Sequence, residues 1–300
     1  MPIEYNIRII PDSKRHRLKK AIISLLVILT LSIATISTAA ATNMKANASI
    51  IDLCQIYGIG CGEETPPASS DKFFTARFFQ YVDKNLQMEI YKPNLDNEDT
   101  TLLRAHNGAL KSDYVKASLS LSGPAGVSFT SSKQVIDNAK KVKDLGFRFI
   151  EFNIEPGLSP NSDNNDVVGA IKKAAQAAAQ QGLKFVAAPS RAYTNMYGTQ
   201  IAPFADIYLI QAQSLQERGV KSYSDYVHSI IPKLKKANSD LEITVQVSTK
   251  RPNAPGLSLL DTLKRCTDSV MDVGNGVTLW YGTADLKLLK SFAEWYNAKY

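Results

Sequence analysis

One eleven-residue stretch constrains the fold of this chain more than any other. It runs from Phe147 to Gly157 and reads Phe-Arg-Phe-Ile-Glu-Phe-Asn-Ile-Glu-Pro-Gly. Ile150, Phe152 and Ile154 alternate with Glu151, Asn153 and Glu155, so a period of two puts three apolar side chains on one face and three polar ones on the other. Pro156-Gly157 then stops the strand just past Glu155. A carboxylate at the C-terminal end of a parallel strand is where α/β barrels place chemistry. The competing reading is an ordinary strand whose polar face meets solvent.

The pattern around this strand repeats. Strand candidates fall at 76–82, 115–122, 147–154, 183–188, 207–212, 243–248 and 277–281, with a weaker eighth between Met88 and Leu110. Amphipathic stretches at 131–145, 166–181, 223–237, 258–270 and 284–296 lie between them. The first has a capping-box start in Ser131-x-x-Gln134, with Val135, Ala139 and Val142 on one face. Repeated β-then-α units of this length predict a parallel sheet, and their number predicts an α/β (β/α)8 TIM-type barrel with irregular first strands. A doubly wound open sheet is the alternative. Against it, no strand is followed by the glycine-rich turn that phosphate or dinucleotide binding needs.

The first 71 residues have another character. Lys14, Arg15, Arg17, Lys19 and Lys20 precede an uncharged run, 21–42, that ends in Ala39-Ala40-Ala41. A basic flank (1–20) before an apolar core reads as an export signal. The run also matches the roughly 20 apolar residues of a membrane anchor. Either way the remainder is expected outside the cytoplasm, secreted or tethered by 21–42. Cys54 and Cys61, in the stalk 43–71, read as a small disulfide loop in that oxidising setting or as two unpaired thiols. Cys266 sits at an apolar helical position and reads as an inert core thiol. A polar, proline-stiffened linker, 62–71, leads into the barrel domain at 72–300, which is expected to be monomeric.

Charge and histidine placement narrow the chemistry. The net charge is +7, from 35 Lys/Arg against 28 Asp/Glu, and residues 1–41 hold six of the former and two of the latter. The rest is therefore only +3 (29 against 26) and shows no long basic patch interleaved with aromatics, so no nucleic-acid partner is expected. The three histidines have no zinc-ligand spacing, and neither a metal nor a cofactor is expected.

Other strands carry polar groups at matching places. Gln211 and Gln213 follow Ile207 and Leu209 on one face, Gln246 and Ser248 end another strand, and Ser118 and Ser120 alternate with Leu119 and Leu121. The last strand ends in Thr278-Leu-Trp280-Tyr281. Amides, hydroxyls and an indole around one or two carboxylates suit a neutral polyhydroxyl ligand, which makes a carbohydrate the expected partner. The bland alternatives are that Gln211 and Gln246 satisfy one another inside the barrel and that Trp280 is core.

Taken in order, these segments resemble glycoside hydrolase family 18, especially its compact class III chitinase branch. The family's third strand ends in Ser-x-Gly-Gly, and Ser118-Leu-Ser120-Leu-Ser122-Gly123-Pro124 stands in a similar place. The family's fourth strand carries Asp-x-x-Asp-x-Asp-x-Glu, to which Arg148-x-x-Glu151-x-Asn153-x-Glu155 corresponds. Phe185 to Pro189, Tyr208 to Gln213 and Gly276 to Trp280 follow in family order. The resemblance implies Glu155 as the general acid, with Glu151 and Asn153 as its catalytic neighbours. It implies sugar-binding places for Gln211, Gln213, Trp280 and Ser120, and the strand pattern adds Gln246 and Ser248 to the expected substrate-binding residues.

The departures are specific. Asn153 stands where the family's Asp orients the substrate acetamido group, which attacks in a substrate-assisted exception to two-carboxylate hydrolysis. Gln213 stands where a Tyr donates to the acetamido oxygen. Glu151 and Glu155, four residues apart on one strand, would lie ~13 Å apart at full extension, too far for a retaining pair. A second carboxylate would come from the substrate or from Glu217, Asp285 or Glu63. Three functions follow: an exported glycoside hydrolase, an inactive carbohydrate-binding surface protein on the same barrel, or an exported structural domain.

Overall fold

The computed structural model describes residues 72–79, 99–105, 107–121, 123–281 and 286–300. They belong to a compact unit that spans Ser69–Tyr300. The basic flank, the apolar run 21–42, the stalk and the Cys54/Cys61 pair lie outside the described residues. Among the described residues no helix is long and apolar enough to cross a membrane.

Eight parallel strands close into a barrel in sequence order. They are β1 (Phe73–Phe79), β2 (Thr100–Arg104), β3 (Ala125–Phe129), β4 (Phe149–Ile154), β5 (Lys184–Pro189), β6 (Ile207–Ile210), β7 (Glu242–Ser248) and β8 (Gly276–Trp280). The seam closes where β1 pairs with β8, from Phe73 opposite Gly276 to Arg77 opposite Trp280. Lys72 Nζ helps hold its lower end by donating to the Gly274 carbonyl at 2.6 Å. Around the barrel run α1 (Ser112–Leu119), α2 (Ser132–Asp144), the short α3 (Asn161–Asn165), α4 (Val167–Gln180), α5 (Arg191–Ile201), α6 (Val220–Ala237), α7 (Leu259–Asp268) and α8 (Leu286–Lys299).

Strand alternation sorts the core into two parts. Ile150, Phe152 and Ile154 of β4 face outward into a large layer shared with Val135, Val142, Ile171 and Ala174 from the helices. Leu102, Phe149, Val186, Ala188, Ile207 and Leu209 face inward and form a smaller apolar plug. Helix α2 buries Val135, Ala139 and Val142, the stripe that its spacing predicts. Ser131 is its N-cap, but the capping box does not form. Gln134 Oε1 instead accepts from the Thr130 amide at 3.2 Å. The role of cap falls to Asp163, whose carboxylate accepts from the Ser132 amide at 2.8 Å and the Ser132 hydroxyl at 2.7 Å.

One expected strand is a helix. Residues 115–122 lie largely in α1, which buries Val115 and Ser118 at a spacing of three. Leu119 is left 38% exposed, so the Ser/Leu alternation there is accidental. The third strand is Ala-Gly-Val-Ser-Phe, buried at every position. Such a strand shows no polar alternation, and its glycine weakens the β pattern further. Helix α5 was likewise not expected from the sequence pattern.

That glycine has a steric reason. A Cβ at Gly126 would stand 2.7 Å from Phe149 Cβ and 2.8 Å from Leu102 Cδ2, both in the lumen plug. We expect Gly126→Ala to cost about 1–3 kcal/mol, the usual range for overpacking, read as a lower urea midpoint at unchanged m-value. A neutral effect would mean that the plug is loosely packed.

Cys266 lies buried on α7, and burial pushes its thiol up to about 12. It should resist iodoacetamide at about pH 8 in the native protein and react once urea unfolds the chain, because only thiolate is nucleophilic. Rapid native labelling would show that α7 opens locally.

Candidate active site

The site is built upward from β4. Glu151 and Asn153 are buried on its lumen face, and Glu155, just past the strand, is half-buried at the mouth. The chain turns there because Gly157 holds a positive φ of 76°, which an L side chain would resist. The Leu158 and Ser159 amides donate back to the Glu155 carbonyl at 3.2 and 3.0 Å. Ser159 Oγ accepts from the Glu155 amide at 3.1 Å, and the Ser159 carbonyl accepts from Asn164 Nδ2 at 2.8 Å. Tyr193 of α5 donates its hydroxyl to Asn164 Oδ1 at 3.0 Å. Glu155 therefore stands on a turn tied to two neighbouring segments.

Each polar group on β4 has a partner from another strand. Ser128 of β3 donates to Glu151 Oε1 at 2.6 Å. Gln211 Nε2, just beyond β6, donates to Asn153 Oδ1 at 2.7 Å and to the Ala188 carbonyl at 2.9 Å. Asn153 Nδ2 donates in turn to Glu155 Oε1 at 2.7 Å. Gln213 Nε2 approaches Gln211 Oε1 at 3.5 Å. The amide directions fix one another: the Ala188 carbonyl demands a donor from Gln211, which leaves Asn153 to accept there and donate to Glu155.

Other expected site residues divide by depth. Gln246 and Ser248 are buried on the lumen side of β7, level with Thr278 and Trp280 of β8. Gln216 locks Ser248: its Oε1 accepts from the Ser248 amide at 2.7 Å and its Nε2 donates to the Ser248 carbonyl at 3.1 Å. The Ser248 hydroxyl accepts from the Lys250 amide at 3.0 Å. Trp280 is half-buried at the mouth, and Lys250 Nζ lies 5.4 Å from its ring centroid. A sugar stacked on the indole would share it with that cation. Gln211 turns to Asn153 and Ala188, so the amide pairing with Gln246 is not its role.

Ser120 is not at the mouth. It follows α1, exposed, and donates its hydroxyl to the Ala117 carbonyl at 2.9 Å. The serine that meets the β4 acid is Ser128, four residues past the Gly123-Pro124 pair. Arg104 was also missed. It ends β2 on the face shared with Leu102, half-buried and in register with Ser128, which itself pairs with Glu151. The Thr100/Leu102/Arg104 alternation was the available cue. Glu217 is exposed on the 3-10 turn Gln213–Arg218, and Asp285 and Glu63 lie outside the described residues.

Comparison with known proteins identifies the fold. No family model matches the chain. No curated protein matches it either. Among solved structures, a family 18 chitinase from Crocus vernus aligns at a TM-score of 0.54 and 12% identity, over 75% of this chain and 98% of that one. A chitinase from Chromobacterium violaceum aligns at 0.50 and 16% identity, over 74% and 99%. The spore cortex-lytic enzyme SleL of Bacillus megaterium aligns at 0.50 and 11% identity, over 75% of each chain. The chain has the (β/α)8 barrel of these enzymes. At such identities the likeness carries the fold and not the activity.

Asn153→Asp probes the geometry directly. It would place a carboxylate oxygen where an amide nitrogen now lies 2.7 Å from Glu155 Oε1. Two carboxylates that close share one proton, so the pair titrates higher in the folded state than in the unfolded chain. The stability tied to that proton is present at low pH and lost as pH rises through the raised value. The variant's deficit against the parent should widen between about pH 4 and pH 8 in denaturation curves. A deficit constant with pH would show that the two side chains part in solution.

Proposed function

We propose that the chain is an exported glycoside hydrolase-like protein that acts on a polysaccharide or glycoconjugate, with Glu155 as the acid that protonates the leaving oxygen. One observation carries the reading. Glu155 is the half-buried carboxylate at the C-terminal mouth of the barrel, held by an Asn153 amide at 2.7 Å above a buried tier of glutamines. Catalytic groups of such barrels sit at that end of the strands. The barrel likeness to two chitinases and a cortex-lytic enzyme supports the same direction. Export is supported by the basic flank and the apolar run 21–42.

In this reading Glu151 is the electrostatic partner of Glu155 from beneath the site. Asn153 and Gln211 hold Glu155 in place, and Trp280 offers the apolar surface on which a sugar ring packs. The attacking group in this reading comes from the substrate or from water. A specific observation favours a second reading, a carbohydrate-binding barrel without turnover: the Asn153 amide cannot take up or release a proton as an acid does.

Glu155→Gln separates the two. The amide oxygen still accepts from Asn153, so the tier stays intact while the dissociable proton is lost. Incubated with chitin, peptidoglycan and neutral glycans, the hydrolase should lose about 10²–10⁴-fold in released reducing ends, with binding retained. Near-normal turnover would remove Glu155 from the acid role. Binding by the parent without any release selects the binding protein.

A further inference from the structure

The buried Gln213 Oε1, unpaired among the described residues, belongs to the mouth. The opposite end of the barrel carries a pattern that the mouth does not explain. Helices of such a barrel run against the strands, so their last turns and the connections after them gather around the strand N-termini. Residues 72–300 hold 28 Lys/Arg against 22 Asp/Glu, a surplus of six. Lys72 and the segments 116–124, 140–148, 181–184, 202–206, 233–242, 265–276 and 296–300 form that end. They hold 12 Lys/Arg against six Asp/Glu, which is the whole surplus. Cations in last helical turns complement the helix dipole, and that accounts for some of them. It does not account for their neighbours. Leu119, Leu145 and Tyr300 are exposed at the same end, half of the large apolar side chains exposed among the described residues. Beside Tyr300, Lys264 Nζ and Lys299 Nζ lie 5.7 and 5.4 Å from the ring centroid of the half-buried Trp295.

We propose that this end of the barrel docks on an anionic lipid surface, with its lysines against headgroup phosphates and Leu119, Leu145, Trp295 and Tyr300 at headgroup level. Long-stemmed lysines beside aromatic rings and isolated leucines suit an interface. The cations meet phosphate, and amphipathic rings rest where one side is apolar and the other wet. A soluble polyanion matches the charge but leaves the leucines in water. Connectivity points the same way, because the chain from the apolar run 21–42 enters β1 through Lys72, at this same end. Residues 43–71 reach at most ~100 Å when fully extended, so that tether alone fixes no orientation. A second, basic contact fixes one, and it turns the mouth with Glu155 away from the lipid.

The chain's two tryptophans report on the two ends, since Trp280 closes β8 at the mouth and Trp295 lies towards the C-terminal end of α8. The full chain is reconstituted in vesicles of shallow-brominated phosphatidylcholine, alone or mixed with phosphatidylglycerol, and tryptophan quenching is read in Trp280→Phe and Trp295→Phe. Trp295 emission, isolated by Trp280→Phe, should be quenched only in the mixed vesicles. The quenching should be lost in about 1 M salt, where the Debye length falls to ~3 Å. Adding Lys141→Glu and Lys236→Glu should remove it as salt does, and both lysines are exposed, so the fold is kept. Trp295 quenching that is equal without phosphatidylglycerol, quenching of Trp280 in its place, or none at either end overturns the proposal. Quenching that survives the two lysine changes overturns it as well. Soluble polyphosphate that binds the parent while Trp295 stays unquenched in mixed vesicles would give this face to a polymer, and the lipid proposal falls.

Discussion

The mouth of this barrel depends on how a carboxylate and an amide are kept in its dry interior. Glu151 and Asn153 share the lumen with an apolar plug of Phe149, Val186, Ala188, Ile207 and Leu209, with Val186 and Ala188 level with them on β5. Moving such groups out of water costs several kcal/mol unless hydrogen bonds replace it. The replacements come from different strands: Ser128 from β3 to Glu151, and Gln211 from beyond β6 to Asn153. Folding the barrel and assembling the site are therefore one event. A slip of one residue in β4 would turn both groups into the helix layer and Phe152 into the lumen, which fixes the register.

Legibility from the sequence followed the same logic. β4 and β7 could be read because half of each strand is apolar and the other half carries groups that no oil-facing surface would tolerate. Their lumen faces, with Glu151, Asn153, Gln246 and Ser248, came with them. β3 could not be read, because all five of its residues are buried and its glycine serves a contact with Phe149 from another strand. That is tertiary information. The error propagated: with the strand misplaced into α1, Ser120 took the role that the structure gives to Ser128. Arg104 was lost for a related reason, since β2 is only five residues long and its alternation too brief to stand out. The unpaired Gln213 oxygen had no cue in the sequence, because satisfaction of a hydrogen bond is a property of neighbours rather than of residue type.

Glu155 shows how a group placed on a turn can still be held firmly. Its turn is bonded through Ser159 and Asn164 to Tyr193 of α5, and Asp163, in the same connection, caps α2. Loops are ordinarily the more mobile part of a barrel. Here the connection after β4 is tied to the helices on both sides, and the acid inherits the rigidity of the scaffold. That suits a group that must meet a leaving oxygen within a few tenths of an ångström.

Asn153 is where the two functional readings part, and its physics is specific. An aspartic acid in its place would have two arrangements, with the proton towards Glu155 or lost. An amide has one: Nδ2 always donates to Glu155 and Oδ1 always accepts from Gln211. The chain thereby gains a neutral, permanently oriented donor and avoids a second buried carboxylate beside the first. It gives up a group whose charge can change during a reaction. Any cleavage must then draw its movable proton from Glu155 and its nucleophile from outside the tier. For a protein that only binds sugars, the same fixed polarity is no handicap, because binding needs no group that changes its charge. In the proposed reading, whether the nucleophile arrives with the substrate is what distinguishes the enzyme from the binder.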